Sequence, residues 1–171
     1  MRESSLTLEL ENEARTVDLG EALAAAAPGD GQELLLTLAG ELGAGKSTLA
    51  RAMLRALGVS AIIRSPTYTL VEPYEAAGQR LLHFDLYRLA GPDELEALGY
   101  RDLRRGSWIA LMEWPERGGS AVGVADLAGN IEYFDSGRKI ELVPHTAAGR
   151  DWLLGLAERL PANFHRADSV K

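Results

Sequence analysis

The residues best suited to chemistry lie together in one glycine-rich segment, Gly40 to Ser47, which reads GELGAGKS. Two glycines separated by four residues and followed by lysine and serine form the pattern of a phosphate-binding loop. Glycine lets the backbone curl so that consecutive amides point at phosphate oxygens, and a following helix adds its positive N-terminal end. Lys46 would bring a positive charge to the outer phosphates, and Ser47 a hydroxyl to a magnesium ion that bridges them. The segment therefore predicts nucleotide binding.

The surroundings of this segment are those that a phosphate loop requires. The apolar run from Leu34 to Ala39 precedes it and predicts a strand buried on both faces, central in a parallel sheet. Apolar residues at helical spacing from Leu49 to Leu57 follow it, and Gly58 stands where a helix C-terminal glycine belongs. A glycine-rich turn that happens to contain a lysine is the alternative interpretation, and this strand–loop–helix context disfavours it.

Two acids at the ends of apolar stretches are candidates for the second part of the site. Asp85 ends the segment LLHFD, and Glu113 ends the segment IALME. A carboxylate that closes a buried strand is costly to desolvate unless a cation pairs with it, so both acids predict a role at a metal or an attacking water. Either acid could hold the metal shell while the other orients or deprotonates the water. The alternative is an acid that simply emerges into solvent.

Three nearby residues carry weaker signals. Thr67, in the segment SPTY, follows the helix after the loop, where nucleotide switches place a threonine that senses the terminal phosphate; a plain turn before a strand fits the pattern equally well. Trp114 directly follows Glu113 and either stacks on a base or packs at the end of a strand. His83 shares a sheet side with Asp85, and we expect it to be structural rather than a ligand.

The remaining pattern alternates strands with helices. A strand at Leu6 to Leu10 precedes a helix for which Thr16 is the predicted N-cap and Pro28 to Gly31 the stop. The other predicted elements are strands over 68–74, 81–86 and 108–113, a short helix over 92–98, a hairpin with strands over 130–134 and 139–143, and a last helix over 147–160 before a polar tail expected to fray. The fold class is α/β: a phosphate-loop NTPase-like sandwich, with a mainly parallel central sheet flanked by helices and an antiparallel hairpin at its edge.

Composition limits what the chain can be. Its 171 residues predict one domain, and 18 basic against 25 acidic residues give a net charge of −7, which disfavours nonspecific nucleic-acid binding and leaves such a role to a partner. The chain has no cysteine, so disulfides, cysteine zinc sites and thiol nucleophiles are excluded. No apolar run approaches the roughly 20 residues of a membrane span, and the N-terminus does not resemble a signal peptide. We expect a cytoplasmic location.

Four blocks of sequence, in this order and spacing, identify a family. They are GAGKST from Gly43, SPTYTLVEPY from Ser65, HFDLYRL from His83 and EWPE from Glu113. The chain closely resembles the TsaE (YjeE) family, the small bacterial ATPase required for making threonylcarbamoyladenosine in tRNA. The resemblance covers roughly Thr16 to Val143, and its last three blocks are not general features of phosphate-loop proteins.

The resemblance implies a Mg²⁺-dependent ATPase that does not itself touch the modified adenosine. It implies ATP and Mg²⁺ as cofactors and a TsaB–TsaD heterodimer as partner, whose repeated turnover next to the anticodon the ATP cycle supports. The implied catalytic residues are Lys46, Thr67, Asp85 and Glu113, with Ser47 and Glu113 for magnesium. The implied nucleotide-binding residues are Gly43, Ala44, Gly45, Lys46, Ser47 and Thr48, with Thr16 and Trp114 near the adenine and Arg138 lining the site. Arg117 to Gly129 and the tail beyond Pro144 match nothing that we can place.

Two other functions stay open at this stage. A small-molecule or nucleoside kinase shares the loop but usually has an arginine-bearing lid, of which there is no sign in the sequence. A nucleotide-dependent interaction module would bind ATP, hydrolyse it negligibly and act by ordering the segment Ser65 to Tyr74 for a partner. A GTPase is disfavoured, because none of the three lysines lies in the arrangement that selects guanine.

Overall fold

The structure, a computed structural model, describes residues 5–29 and 31–167. Within these residues the strands are β1 (Leu6–Leu10), β2 (Glu33–Gly40), β3 (Val71–Ala76), β4 (Gln79–Asp85), β5 (Trp108–Glu113), β6 (Leu127–Phe134) and β7 (Gly137–Pro144). The helices are α1 (Glu13–Ala26), α2 (Lys46–Ala56), α3 (Pro92–Ala97), α4 (Tyr100–Leu103) and α5 (Ala147–Arg159), and single 3₁₀ turns cover Pro115–Arg117 and Gly119–Ala121. None of these helices has both the length and the apolar composition to span a bilayer.

All strands form one mixed sheet, in the order β1-β7-β6-β2-β5-β4-β3. Its centre is parallel, because β2 pairs with β5 and β6, and β5 pairs with β4. Its flanks are antiparallel, through β3 with β4, β6 with β7, and β1 with β7. The predicted fold class is confirmed, and β2 occupies the central position expected from its apolar run. The predicted hairpin lies one strand in from the edge, because β1 pairs with β7 outside it.

Both faces of the sheet are covered, which explains why β2 is apolar at every position from Leu34 to Ala39 except the buried Thr37. Leu34, Leu36 and Leu38 point to one face and pack with α1, α2 and α5. Leu35 points to the other face, where it packs with residues of α3, α4 and the 3₁₀ segment. Since neighbouring side chains of a strand alternate between faces, a strand buried on both sides carries apolar residues at consecutive positions.

The start of α1 differs from the prediction. The N-cap is Asn12, whose side chain accepts a hydrogen bond from the amide of Arg15 at 3.1 Å. Thr16 lies inside the helix and is buried, so its predicted capping role is wrong. Asparagine caps at least as well as threonine, and helix propensity alone does not choose between two caps four residues apart. Of the predicted stop after this helix, Asp30 lies outside the described residues.

The strand predicted over 68–74 begins later, at Val71. The amide of Leu70 donates to the carbonyl of Pro66 at 2.8 Å, and Leu70 has a φ of 66°. This turn holds the residues before Val71 out of the sheet and leaves Tyr68 81% exposed. The aromatic and β-branched residues there favour a strand, and composition alone gives no sign of a turn that is closed by backbone hydrogen bonds.

The expected fraying of the C-terminal tail is wrong as far as residue 167. The aromatic ring of Phe164 is buried, and the amide of Ala167 donates to the carbonyl of Thr7 at 3.1 Å. The amide of Glu9 donates to the carbonyl of His165 at 3.0 Å. Residues 165–167 thus pair with β1, whose outer edge would otherwise present free backbone groups. Residues 168–171 lie outside the described residues.

Candidate nucleotide-binding site

The predicted phosphate loop connects the end of β2 to the start of α2, as its sequence requires. Gly40, Gly43 and Gly45 have φ values of 143°, 77° and 108°, which side-chain-bearing residues rarely adopt. A β-carbon at Gly40 would collide with the carbonyl oxygen of Ile131 on the neighbouring strand β6. The amide of Ala44 donates to the carbonyl of Glu41 at 3.1 Å and closes a turn inside the loop. The backbone therefore has the curled form expected of a phosphate loop.

Lys46 folds back over its own loop. Its Nζ donates to the carbonyls of Gly40 at 2.6 Å and Glu41 at 2.8 Å, and lies 4.1 Å from the ring centroid of Trp114. Burial lowers the pKa of this lysine from its usual 10.5, and the negative charges of Glu113, Glu116 and Asp85 partly oppose that effect. The loop thus holds a buried ammonium group against acceptors that an anion could replace.

Glu113 links the loop to the sheet. Its Oε2 accepts a hydrogen bond from the hydroxyl of Ser47 at 2.8 Å, and its Oε1 lies 2.8 Å from Nε2 of His83. The carboxylate is 2% exposed and the histidine is fully buried. The structure therefore brings together the serine and the acid that the sequence predicts as magnesium ligands.

Asp85 lies beside Glu113 and contacts the switch-like threonine. One carboxylate oxygen of Asp85 accepts from the hydroxyl of Thr67 at 3.4 Å, and the other accepts from the amide of Tyr87 at 3.0 Å. Thr67 in turn shares a hydrogen bond of 2.9 Å with the hydroxyl of Ser65. The segment after α2 is thus tied to the end of β4, which brings the predicted threonine to the predicted acid.

Strand register explains why the two acids are neighbours. In the parallel pair β4–β5, Asp85 is opposite Glu113, and in the parallel pair β2–β5, Glu113 is opposite Leu38. The carboxyl ends of parallel strands therefore meet at one edge of the sheet, where β2 enters the phosphate loop. Ligand sites of α/β sheets lie at this edge.

Two of the cavities beside the loop share Gly43, Gly45 and Thr48. The first, of about 270 Å³, also includes Thr16 and Arg138 in its lining. The second, of about 310 Å³, is lined by the phosphate-contacting candidates and both acids. Trp114 belongs to the second cavity, where its ring lies 4.9 Å from that of Tyr87. The structure does not bring Thr16 and Trp114, the two predicted neighbours of the adenine, to the same cavity.

Comparison with known proteins identifies the family. The model of the family described as "Threonylcarbamoyl adenosine biosynthesis protein TsaE" matches residues 10–140. The chain belongs to the TsaE family. It is 48% identical over 118 residues to the tRNA threonylcarbamoyladenosine biosynthesis protein TsaE of Haemophilus influenzae. The aligned residues cover 69% of this chain and 75% of that protein.

Two matches from Bacillus subtilis, one of sequence and one of structure, are also similar to this chain. The TsaE protein of that organism is 40% identical over 89 residues, 52% of each chain. The crystal structure of YdiB superposes with a TM-score of 0.71 at 22% identity, covering 91% of this chain and 95% of that one. The latter similarity supports the same fold. The family resemblance seen in the four sequence blocks is confirmed by these matches.

Two residues of the β6–β7 hairpin contact the loop in this TsaE chain; the family resemblance implied Arg138 at the site, whereas sequence reasoning missed Tyr133. The hydroxyl of Tyr133 donates to the carbonyl of Leu42 at 2.9 Å, and Arg138 donates to the carbonyl of Gly43 at 3.2 Å. The guanidinium of Arg138 lies 4.0 Å from the centroid of the Tyr133 ring. Tyr133 has no motif of its own. Its one signal in the sequence is its place beside the predicted hairpin turn.

The donor set at the loop fits a magnesium ion held together with a nucleotide. The described part of the chain contains no cluster of three or more histidine and acidic side chains that could hold a metal alone. The serine hydroxyl and the glutamate are hard oxygen donors 2.8 Å apart. Magnesium is commonly bound by one or two such protein oxygens, with phosphates and water completing its shell. In this TsaE chain, Ser47 and Glu113 are therefore the residues that would hold a magnesium ion if a nucleotide were bound at the loop.

Proposed function

We propose that this chain binds and hydrolyses ATP with Mg²⁺, and thereby supports formation of the threonylcarbamoyl group on adenosine next to the anticodon of tRNA. The TsaE family is named for this biosynthesis, and the matched relatives carry the same description. The net charge of −7 suits action through a partner rather than direct tRNA binding. The proposed partner is a TsaB–TsaD complex, and the proposed location is the cytoplasm.

One observation carries the proposal: the 2.8 Å hydrogen bond between the hydroxyl of Ser47 and the carboxylate of Glu113. It joins the first turn of α2, directly after the glycine loop, to the acid at the end of β5. A glycine-rich turn without a nucleotide role would not need a buried acid at this place, because burial of a carboxylate costs free energy. The pair is therefore best explained as two ligands of one site.

The other residues divide the work around this pair. Lys46 would exchange its loop carbonyls for phosphate oxygens, and the backbone amides of Gly43 to Thr48 would bind the same group. Mg²⁺, when bound, would neutralise phosphate charge. Asp85 lies outside the Ser47–Glu113 pair and still contacts Thr67, so it is the better candidate for holding the attacking water and accepting its proton.

The decisive experiment measures ATP binding and partner capture together. Isothermal titration of ATP with Mg²⁺ should show tight binding to the wild type and none to Lys46→Ala, because the substitution removes the cation that contacts the phosphates. Equal affinity of the two proteins would contradict nucleotide binding at this loop. Arg51→Ala, an exposed position on α2, is the matched control and should bind as the wild type does.

Partner capture separates the remaining functions. With tagged protein and purified TsaB and TsaD, we expect retention of both partners and a dependence of retention on ATP. Hydrolysis that is slow alone and faster with the partners supports the ATPase. ATP-dependent retention without hydrolysis in either state would instead support the interaction module, and phosphoryl transfer to a small acceptor would support a kinase.

A further inference from the structure

One buried residue beside the site has a hydrogen-bonding pattern that packing does not explain. His83 is fully buried on β4, with Nε2 2.8 Å from Oε1 of Glu113. Its other ring nitrogen, Nδ1, is also buried and has no hydrogen-bond partner among residues 5–29 and 31–167. A buried polar atom without a partner destabilises a fold, and leucine would fill this position without that cost.

The hydrogen bond between His83 and Glu113 has one direction. A carboxylate accepts hydrogen bonds and does not donate them, so the hydrogen lies on Nε2 of His83, and Oε1 of Glu113 accepts it. His83 is therefore the donor that contacts Glu113 from the sheet.

Glu113 is held at both oxygens. His83 binds Oε1 from the sheet, while the hydroxyl of Ser47 binds Oε2 from α2. With both bonds the plane of the carboxylate is set, and Oε2 faces the serine. With the serine bond alone the carboxylate is free to rotate about its last torsion, which is broad for glutamate.

We propose that His83 is a positioning residue, which orients Glu113 for metal binding with Ser47. This inference rests on the proposed Mg²⁺–nucleotide site. His83 would act on the metal only through Glu113. Residues that hydrogen-bond a metal ligand hold it in the orientation that the metal needs. The loss of such a residue weakens metal binding about 10- to 100-fold.

The test compares two substitutions that differ in where they put a donor. His83→Gln carries its amide nitrogen near the position of Nε2, whereas His83→Asn carries it near the position of Nδ1 and does not reach Glu113. ADP binding is titrated calorimetrically at increasing Mg²⁺ and without Mg²⁺. Mg²⁺ should enhance ADP affinity, and we expect His83→Asn to raise the Mg²⁺ concentration that gives half of this enhancement about tenfold or more. His83→Gln should stay within about threefold of the wild type, and all three proteins should bind metal-free ADP alike.

Two further measurements separate positioning from folding. Melting temperatures report any general loss of stability, which would not shift the Mg²⁺ midpoint selectively. On a Glu113→Gln background, His83→Asn should cause no further change in that midpoint, because the carboxylate it orients is gone. An additive loss in the double variant would overturn the proposal, as would equal Mg²⁺ midpoints in the wild type and both single variants.

A spectroscopic measurement on the nucleotide-free protein keeps the inference testable if a variant does not fold. Nitrogen-15 NMR of labelled histidine should show His83 with a protonated Nε2. A bare Nε2 would overturn the proposed hydrogen bond whatever the binding data show. If the wild type binds no ADP, the proposed function fails; if ADP binds but Mg²⁺ has no effect, nucleotide binding stands and the positioning role fails.

Discussion

Asp85 and Glu113 are adjacent acids with different neighbours, and this difference predicts different defects. Asp85→Asn keeps the size and the acceptor for the amide of Tyr87 but removes the base, so ATP hydrolysis should fall about 10²- to 10⁴-fold while ATP still binds. Glu113→Gln should also lose hydrolysis, and in addition need a higher Mg²⁺ concentration to enhance nucleotide affinity. The measurements are phosphate release and calorimetric binding for each variant.

The control for these two variants is Glu75→Gln, an exposed acid on β3. It should match the wild type in both measurements. Hydrolysis by Asp85→Asn at the wild-type rate would exclude Asp85 as the base and leave Glu113 as the candidate for that role. Loss of ATP binding in Asp85→Asn would show that this acid shapes the ground-state site rather than the hydrolytic step.

Lys46 gives a prediction about pH and stability. Its pKa is lowered in the folded protein below the usual 10.5. Between the lowered pKa and 10.5, the unfolded chain therefore holds more protons on this lysine than the folded chain, and its contribution to the free energy of unfolding rises with pH. Lys46→Met lacks this contribution. In urea unfolding without nucleotide, the stability of the wild type relative to Lys46→Met should increase as the pH approaches 10.5.

The same comparison removes an opposing titration. Burial raises the pKa of Tyr100 above 10.0, so this tyrosine alone makes the folded state less stable as the pH rises past 10. Tyr100 is present in both proteins, and its effect cancels in the difference. If the stability of the wild type relative to Lys46→Met stayed flat or fell with pH, burial would not destabilise the charged form of Lys46.

Among the elements, the β6–β7 hairpin positions the phosphate loop through Tyr133. A trans peptide holds its carbonyl and its amide on opposite sides, so the hydrogen bond from Tyr133 to the carbonyl of Leu42 turns the next amide, that of Gly43, away from the hairpin. Tyr133→Phe removes this one bond and should weaken ADP binding about fivefold, in line with a net contribution of about 1 kcal/mol. Calorimetric titration measures the effect.

Tyr74→Phe, on the opposite edge strand β3, is the control for the loss of a tyrosine hydroxyl. Its ADP affinity should equal that of the wild type. If both tyrosine variants bind ADP as the wild type does, the hairpin contact does not shape the loop. An equal loss in both would indicate a general effect on stability, which a melting curve would reveal.

Sequence predicted the elements whose signals are local. The bounds of β5 were predicted to the residue, and those of β2, α2 and α5 within one or a few residues, because apolar period and glycine stops mark them directly. The helix α4 was missed, since four residues after Gly99 give no period to detect. The turn at Leu70 and the cap at Asn12 depend on particular hydrogen bonds, which composition does not encode.

The candidate site was predictable as far as chemistry follows from motif and strand end. The loop, both acids and Thr67 meet as expected, since the carboxyl ends of parallel strands converge. Tyr133 escaped notice because its contact with the loop spans 91 residues of sequence. The pairing of His83 with Glu113 depends on β4 and β5 being neighbours in the sheet. The sequence of either segment alone does not reveal the strand order.

At the scale of the whole molecule, the C-terminal segment completes the sheet at its β1 edge. Phe164 is 7% exposed and belongs to the same hydrophobic core as residues of the sheet, α1 and α5, and Arg15 lies 5.4 Å from the centroid of its ring. Phe164→Ala should lower the free energy of unfolding by about 3 kcal/mol, because a buried aromatic ring is lost and the space does not fully close. Urea unfolding followed by circular dichroism measures the change.

The matched control is Arg166→Ala, two residues further along the same segment. Its side chain donates to the carbonyl of Ala157 at the surface, so its removal should change stability by about 0.5 kcal/mol or less. Phe164 does not line the cavities beside the phosphate loop, and ADP affinity should therefore be unchanged in both variants. If Phe164→Ala were as stable as the wild type, the burial of Phe164 would not contribute to stability, and the C-terminal segment would not be needed to stabilise the β1 edge of the sheet.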